Sequence, residues 1–179
     1  MKDQALAARC RNLRLVLSDV DGVMTDGTIL LLPDGGEAKA FHVRDGFGIV
    51  LARRAGLRVG FISGRSSDTV TRRAAELGIE IVRQGIADKA AALREIVAAE
   101  GIAPSQVAYM GDDVNDLAVM SEVGLSAAPA DATFEVRAQA FMVTDARGGH
   151  GCLREFLEAI LRAREEWDGL VADITAPWA

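Results

Sequence analysis

Carboxylates recur in this chain at spacings that suit phosphoryl chemistry. Asp19-Val20-Asp21-Gly22-Val23 sets two of them two residues apart, and Gly111-Asp112-Asp113-Val114-Asn115-Asp116 supplies three more. Like charges gathered in one place repel unless a cation joins them. No cluster of His or Cys accompanies them, which argues against zinc. Hard oxygen ligands with open positions suit Mg2+, which keeps part of its shell for water and substrate phosphate. Two further segments complement the acids. Ser63-Gly64-Arg65 offers a hydroxyl, backbone N–H donors and a guanidinium, and Lys89 brings an ammonium. Carboxylates, a divalent cation, a lysine and an amide cradle together make a phosphoryl-transfer site. A carboxylate there can also act as nucleophile and form an aspartyl-phosphate.

Taken singly, each residue has a plainer reading. An Asp after a strand is most often a turn or cap residue, Ser-Gly is common turn chemistry, and a Lys or Arg in a helix's first turn is usually solvated. Their joint occurrence, in order and each at a strand end, favours the functional reading. Asp113 and Asp116 are weaker candidates, since either serves as a cap for the helix that follows. His42 and His150 read as surface or pocket-rim residues, and Cys152 as core.

A parallel sheet must position these groups. Leu15–Leu17, Val59–Ile62, Ile79–Val82 and Val107–Met110 are short apolar runs that read as buried strands. Between them Phe47, Val50 and Leu51 share a helical face, as do Ala90, Leu93, Ile96 and Val97, and later Leu153, Phe156, Leu157, Ile160 and Leu161. Asp88 reads as the N-cap of the second helix and Gly101 as its stop. Alternating strand and helix predicts a Rossmann-like α/β fold, a parallel sheet flanked by helices. In such a sheet ligands bind beyond the carboxyl ends of the strands. Each polar run follows a strand directly, so all should meet in one cleft. One segment breaks the alternation. Thr28–Leu32, the turn Pro33-Asp34-Gly35-Gly36 and Ala38–Val43 predict a β-hairpin over about residues 26–43. It is too short for a lid domain, and so apolar that it should pack on something, such as another subunit. Asp168–Ala179 has no clear period, and the chain from about 165 to 179 reads as a tail.

Composition bounds the rest. A chain of 179 residues suits one domain, and an apolar half excludes overall disorder. With 20 Lys and Arg against 26 Asp and Glu, the net charge of −6 gives no footprint for nucleic acid and argues against a membrane surface. Met1–Arg14 lacks the apolar core of a secretion signal, and no apolar run approaches a membrane span. Cys10 and Cys152 make neither a disulfide framework nor a metal knuckle. A soluble, cytoplasmic, single-domain protein is expected.

The four polar runs resemble, in order, the four motifs of the haloacid dehalogenase superfamily. Thr25-Asp26-Gly27, the segment Phe41–Ile49 and Gly148-Gly149-His150-Gly151-Cys152-Leu153-Arg154-Glu155 are similar to the 3-deoxy-D-manno-octulosonate 8-phosphate phosphatases of its capless branch. The likeness runs from about Leu13 to about Ala163. It implies no cap domain, a Mg2+ cofactor, and hydrolysis of that sugar-acid phosphate in lipopolysaccharide precursor synthesis. It also implies a homotetramer whose hairpins build a central barrel, each active site closed by a neighbour. By resemblance Asp19 is nucleophile and metal ligand. Asp21 is general acid/base and binds the metal through its backbone carbonyl, and Asp112 is the third ligand. Ser63 and Lys89 hold the phosphoryl group. His42, Val43, Arg44, Asp45, Gly46, Gly64, Arg65, Arg73 and Lys89 match substrate-contacting positions. His150 stands where relatives often carry Lys or Arg, and Val50 where they often have a basic residue. The rival readings are a phosphatase for a nine-carbon sialic-type sugar acid phosphate, a phospho-accepting receiver domain, and an inactive scaffold.

Overall fold

A computed structural model describes residues 2–176. In chain order the elements are α1 (Lys2–Cys10), β1 (Leu15–Ser18), β2 (Leu30–Leu31), β3 (Glu37–Ala38), α2 (Val43–Arg54), β4 (Arg58–Ile62), α3 (Asp68–Glu76) and β5 (Ile81–Arg83). There follow α4 (Lys89–Glu100), β6 (Val107–Met110), α5 (Leu117–Glu122), β7 (Leu125–Ala128), α6 (Phe134–Gln139), β8 (Met142–Val143), α7 (Cys152–Ala163) and α8 (Trp167–Thr175). Six strands form one sheet in the order β5-β4-β1-β6-β7-β8, and every pairing in it is parallel.

The central strands are apolar throughout because both faces of the sheet are covered. Val16, Ala108 and Met110 join one core with residues of α2, α3 and α7. Leu15, Leu17, Val107 and Tyr109 alternate with them and join the other core, with residues of α4, α5 and α6. Asp88 Oδ1 accepts from Ala91 N at 2.9 Å to start α4, and Gly101 at φ 63° ends it, as the spacing predicts.

The hairpin exists but is shorter than expected: β2 and β3 pair over two residues each, Leu30 with Ala38 and Leu31 with Glu37. Its return run does not reach Val43, because His42 Nδ1 accepts from Arg44 N and Val43 already begins α2. Among the described residues this hairpin is what β1 and α2 have inserted between them, and no cap domain interrupts the fold.

The expected tail is instead helical over Trp167–Thr175, with 177–179 outside the described residues. One aromatic anchors it. Trp167 is buried, and the guanidiniums of Arg154 and Arg162 each lie 4.9 Å from its ring centroid. Val171 and Ile174 are exposed, yet Trp167, Leu170, Val171 and Ile174 recur at i, i+3, i+4 and i+7, a helical spacing that the reading of this segment as a tail passes over. No helix among the described residues is long and apolar enough to cross a membrane.

Candidate active site

The carboxyl ends of β1, β4 and β6, with the start of α4, converge as the polar runs predict. Asp19 follows β1 and is held to the sheet by its N–H, which donates to the Met110 carbonyl at 2.9 Å. Its Oδ1 accepts from Val20 N at 2.6 Å and its Oδ2 from Lys89 Nζ at 2.5 Å. Lys89, the first residue of α4, spans from Asp19 to Asp116, whose Oδ1 it meets at 2.6 Å. The Tyr109 hydroxyl donates to the same oxygen at 2.6 Å. Asp116 Oδ2 accepts from the N–H groups of Asp112 at 3.0 Å and Asp113 at 3.3 Å. Asp116 is therefore the fully buried hub that fixes both Lys89 and the turn carrying Asp112. Asp113 is the local cap that its position suggested, accepting from Val114 N at 2.7 Å.

Burial and crowding set the charges. Burial pushes Asp19 up to about 6; the Lys89 ammonium draws it down and the Asp116 charge adds to the rise. Asp112 rises to about 8, by burial and then by the charges of Asp19 and Asp116. Burial works against the Lys89 ammonium, but Asp19 and Asp116 outweigh it and hold it above its ordinary value. Tyr109 is pushed well above its usual range by burial and by Asp116, and stays a neutral donor.

Carboxylate oxygens of Asp19, Asp112 and Asp116 lie within 4.8 Å of one another. Asp116 is engaged by Lys89 and Tyr109, whereas Asp112 Oδ1 is buried with no hydrogen-bond partner among the described residues. An orphaned carboxylate oxygen facing a second carboxylate, with no sulfur or imidazole at hand, fits a hard divalent cation. Gly22 makes room for it: at φ +87° it adopts a left-handed backbone, and a Cβ there would lie 1.9 Å from Asp112 Oδ2.

Ser63 follows β4, its N–H donating to the Arg83 carbonyl at 2.8 Å and its Oγ accepting from Arg65 N at 3.2 Å. Asp19, Asp21, Ser63, Gly64, Arg65 and Asp112 line one cavity of about 280 Å³, with Gly27 and Ile29 of the hairpin approach also in its wall. The hairpin also delivers charge. Lys39 contacts Asp21 Oδ1, and Glu37 accepts from Arg65 at 2.9 Å.

The remaining predicted contacts lie elsewhere. Val43 is 80% exposed on the surface. Arg44 and His150 line a separate groove of about 490 Å³ beside α7. Arg73 pairs with Glu76 at 3.1 Å and stacks toward Phe41, and Gly46 packs beneath it. Asp45 is fully buried and caps a helix. Its Oδ1 accepts from Arg154 N at 2.7 Å and its Oδ2 from Gly151 N at 3.2 Å, capping α7 where Gly151 has no side chain to do so. That cap matters to the site through the loop before α7. Gly149 N donates to the Val23 carbonyl at 2.9 Å, and a Cβ on Gly148 would lie 2.0 Å from the Gly22 carbonyl. The glycines let this loop lie flat against the turn that carries Asp21.

Sequence reasoning missed Tyr109 and Lys39 and ranked Asp116 low. A lone phenol in an otherwise apolar strand, and a lone lysine in an apolar hairpin, were the available signals.

A family model described as haloacid dehalogenase-like hydrolase matches residues 52–156. The 3-deoxy-D-manno-octulosonate 8-phosphate phosphatase KdsC of Yersinia pestis is 44% identical over 161 residues, covering 90% of this chain and 86% of that protein. A crystal structure of the phosphatase of the same name from Moraxella catarrhalis, in complex with magnesium ion, phosphate ion and a KDO molecule, matches with a TM-score of 0.93. It is 37% identical, over 95% of this chain and 98% of that one. A crystal structure of a probable YrbI family phosphatase from Pseudomonas syringae pv. phaseolica 1448a also gives a TM-score of 0.93, at 42% identity over 96% and 97%.

Proposed function

The chain belongs to the haloacid dehalogenase-like hydrolase family, and from that premise we propose that it is a Mg2+-dependent phosphatase that hydrolyses 3-deoxy-D-manno-octulosonate 8-phosphate to the free sugar acid and phosphate. The observation that carries this reading is the Asp19–Asp112 approach within 4.8 Å beside the Lys89 ammonium at 2.5 Å. The Yersinia pestis and Moraxella catarrhalis relatives both carry this substrate in their names, so the nine-carbon and receiver-domain readings are not favoured.

Asp19, Asp112 and the backbone carbonyl of Asp21 are the groups that would hold Mg2+. Bound there, the ion supplies charge that offsets carboxylate–phosphate repulsion and withdraws electron density from the phosphoryl oxygens. Asp19 attacks phosphorus in line with the leaving alcohol, so that an Asp19 O–P bond forms as the sugar O–P bond breaks. Lys89 lies against the nucleophile and balances the charge brought by the phosphoryl group. Asp116 and Tyr109 hold that ammonium in place. The Ser63 hydroxyl and the N–H groups of its loop receive phosphoryl oxygens. Asp21 gives its proton to the leaving alkoxide. It then takes one from the water that attacks the aspartyl-phosphate, releasing phosphate and restoring Asp19.

The same reading makes the protein a cytoplasmic homotetramer acting in lipopolysaccharide precursor synthesis. Ile29, Leu30, Leu31 and Leu32 form a run of four exposed apolar residues on the hairpin, a surface that a monomer would leave in water. Arg44 lines a groove separate from the Asp19 cavity, and His42 caps α2 beside Gly151 of that groove, which suits contacts to a substrate in a neighbouring subunit. Assay of a panel of sugar phosphates with Mg2+ tests the substrate. Preference for the eight-carbon sugar acid phosphate is expected, and a marked preference for a different phosphate would overturn the named substrate.

A further inference from the structure

Glu37 and Lys39 stand two residues apart on the return side of the hairpin, so both side chains project from one face. That face meets the catalytic turn. The Lys39 side chain is 1% exposed, and its ammonium contacts Asp21 Oδ1 and lies 3.5 Å from Glu37 Oε1. A desolvated ammonium is costly unless it is paired, and these carboxylates are the anions it reaches. Glu37 is itself fixed: Arg65 donates to it at 2.9 Å, and Thr69 Oγ1 donates to its backbone carbonyl at 3.4 Å. Lys39 therefore has little freedom to move away.

The two oxygens of Asp21 are treated unequally. Oδ1 receives Lys39 and, at 3.4 Å, the Thr25 hydroxyl. Among the described residues Oδ2 has only the Arg65 guanidinium at 3.9 Å, beyond hydrogen-bonding distance. We propose that Lys39 is a positioning residue for the phosphatase reaction: it pins Oδ1 of Asp21 and thereby presents Oδ2 as the oxygen that exchanges the proton with the leaving group. The inference rests on the phosphatase reading. It gives the hairpin a part in the chemistry as well as in assembly.

The test exploits leaving-group chemistry. An alkyl alkoxide leaves poorly without a proton, whereas p-nitrophenolate leaves without one. For Lys39→Met, kcat/KM should fall roughly 10- to 100-fold on the sugar-acid phosphate and by about 3-fold or less on p-nitrophenyl phosphate. Asp21→Asn should show the same selectivity, and the Asp21→Asn/Lys39→Met double variant should be no slower than Asp21→Asn alone. Lys39→Arg should recover most of the alkyl-to-aryl ratio. If Lys39→Met is too unstable to purify, Lys39→Gln replaces it in the same comparison. Equal losses on both phosphates, or losses that multiply in the double variant, would overturn the proposal. An enzyme that turns over other alkyl phosphates but not the sugar acid would defeat the substrate assignment alone, and the same ratio could be read on those phosphates.

Discussion

The strand-end cluster and the hairpin-to-α2 segment are built on opposite plans. Asp19, Lys89, Tyr109 and Asp116 are buried, mutually bonded and complete within one chain. Ile29–Leu32, Val43 and Arg44 are exposed and engage little of their own subunit. Chemistry thus resides in a preorganised interior, where charges cost no reorganisation when the phosphoryl group arrives. Under the proposed function, selectivity belongs to this exposed surface, completed by a neighbouring subunit.

Substitutions should separate the two regions, and the largest effects belong to the interior. Asp19→Asn should lower turnover by roughly 10⁴-fold or more while leaving the circular dichroism spectrum and Tm near native. Asp21→Asn should cost roughly 10²–10⁴-fold in kcat. Lys89→Met should differ from both by unfolding the protein more easily. It strips Asp19 and Asp116 of their shared partner, and loss of one side of a buried ion pair typically costs about 3–5 kcal/mol, read by urea denaturation. On the surface, Arg44→Ala should raise KM for the sugar-acid phosphate about 10-fold and leave p-nitrophenyl phosphate hydrolysis unchanged. An equal effect on both substrates would move Arg44 from the selective region to the chemical one.

A smaller effect concerns pH. Asp19 and Asp112 sit at about 6 and about 8, against an ordinary 3.8. Chelator-treated folded protein therefore holds protons that the unfolded chain has released, and its stability should fall as pH rises from about 4 to 8. A divalent cation replaces those protons, so Mg2+ should raise Tm more at pH 8 than at pH 6. A shift as large at pH 6 would show that these carboxylates do not bind the ion.

The interior was also the more legible region. Asp19, Asp21, Ser63, Lys89 and Asp112 follow or open elements whose apolar period is strong, so their convergence could be read from one dimension. Asp116 was underrated because its spacing after Asp112 suits a helix cap equally well, and only burial against Lys89 separates the two readings. The strands Leu125–Ala128 and Met142–Val143 carry weak or two-residue signals, and the helix Trp167–Thr175 is short, with only Trp167 and Leu170 of its apolar residues packed on the core. The capping of α7 by Asp45 was not visible because sequence cannot tell a carboxylate that caps a distant helix from one that faces a ligand. Lys39 needed the hairpin to be folded onto the catalytic turn before its partner was visible.

The central claim is that Asp19 accepts the phosphoryl group. Rapid quenching of the enzyme during turnover of radiolabelled 3-deoxy-D-manno-octulosonate 8-phosphate with Mg2+, followed by peptide mapping, tests it directly. Hydroxylamine-labile label is expected on the peptide containing Asp19, and none in Asp19→Asn. Turnover without protein-bound label, or label mapping to a different residue, would contradict it.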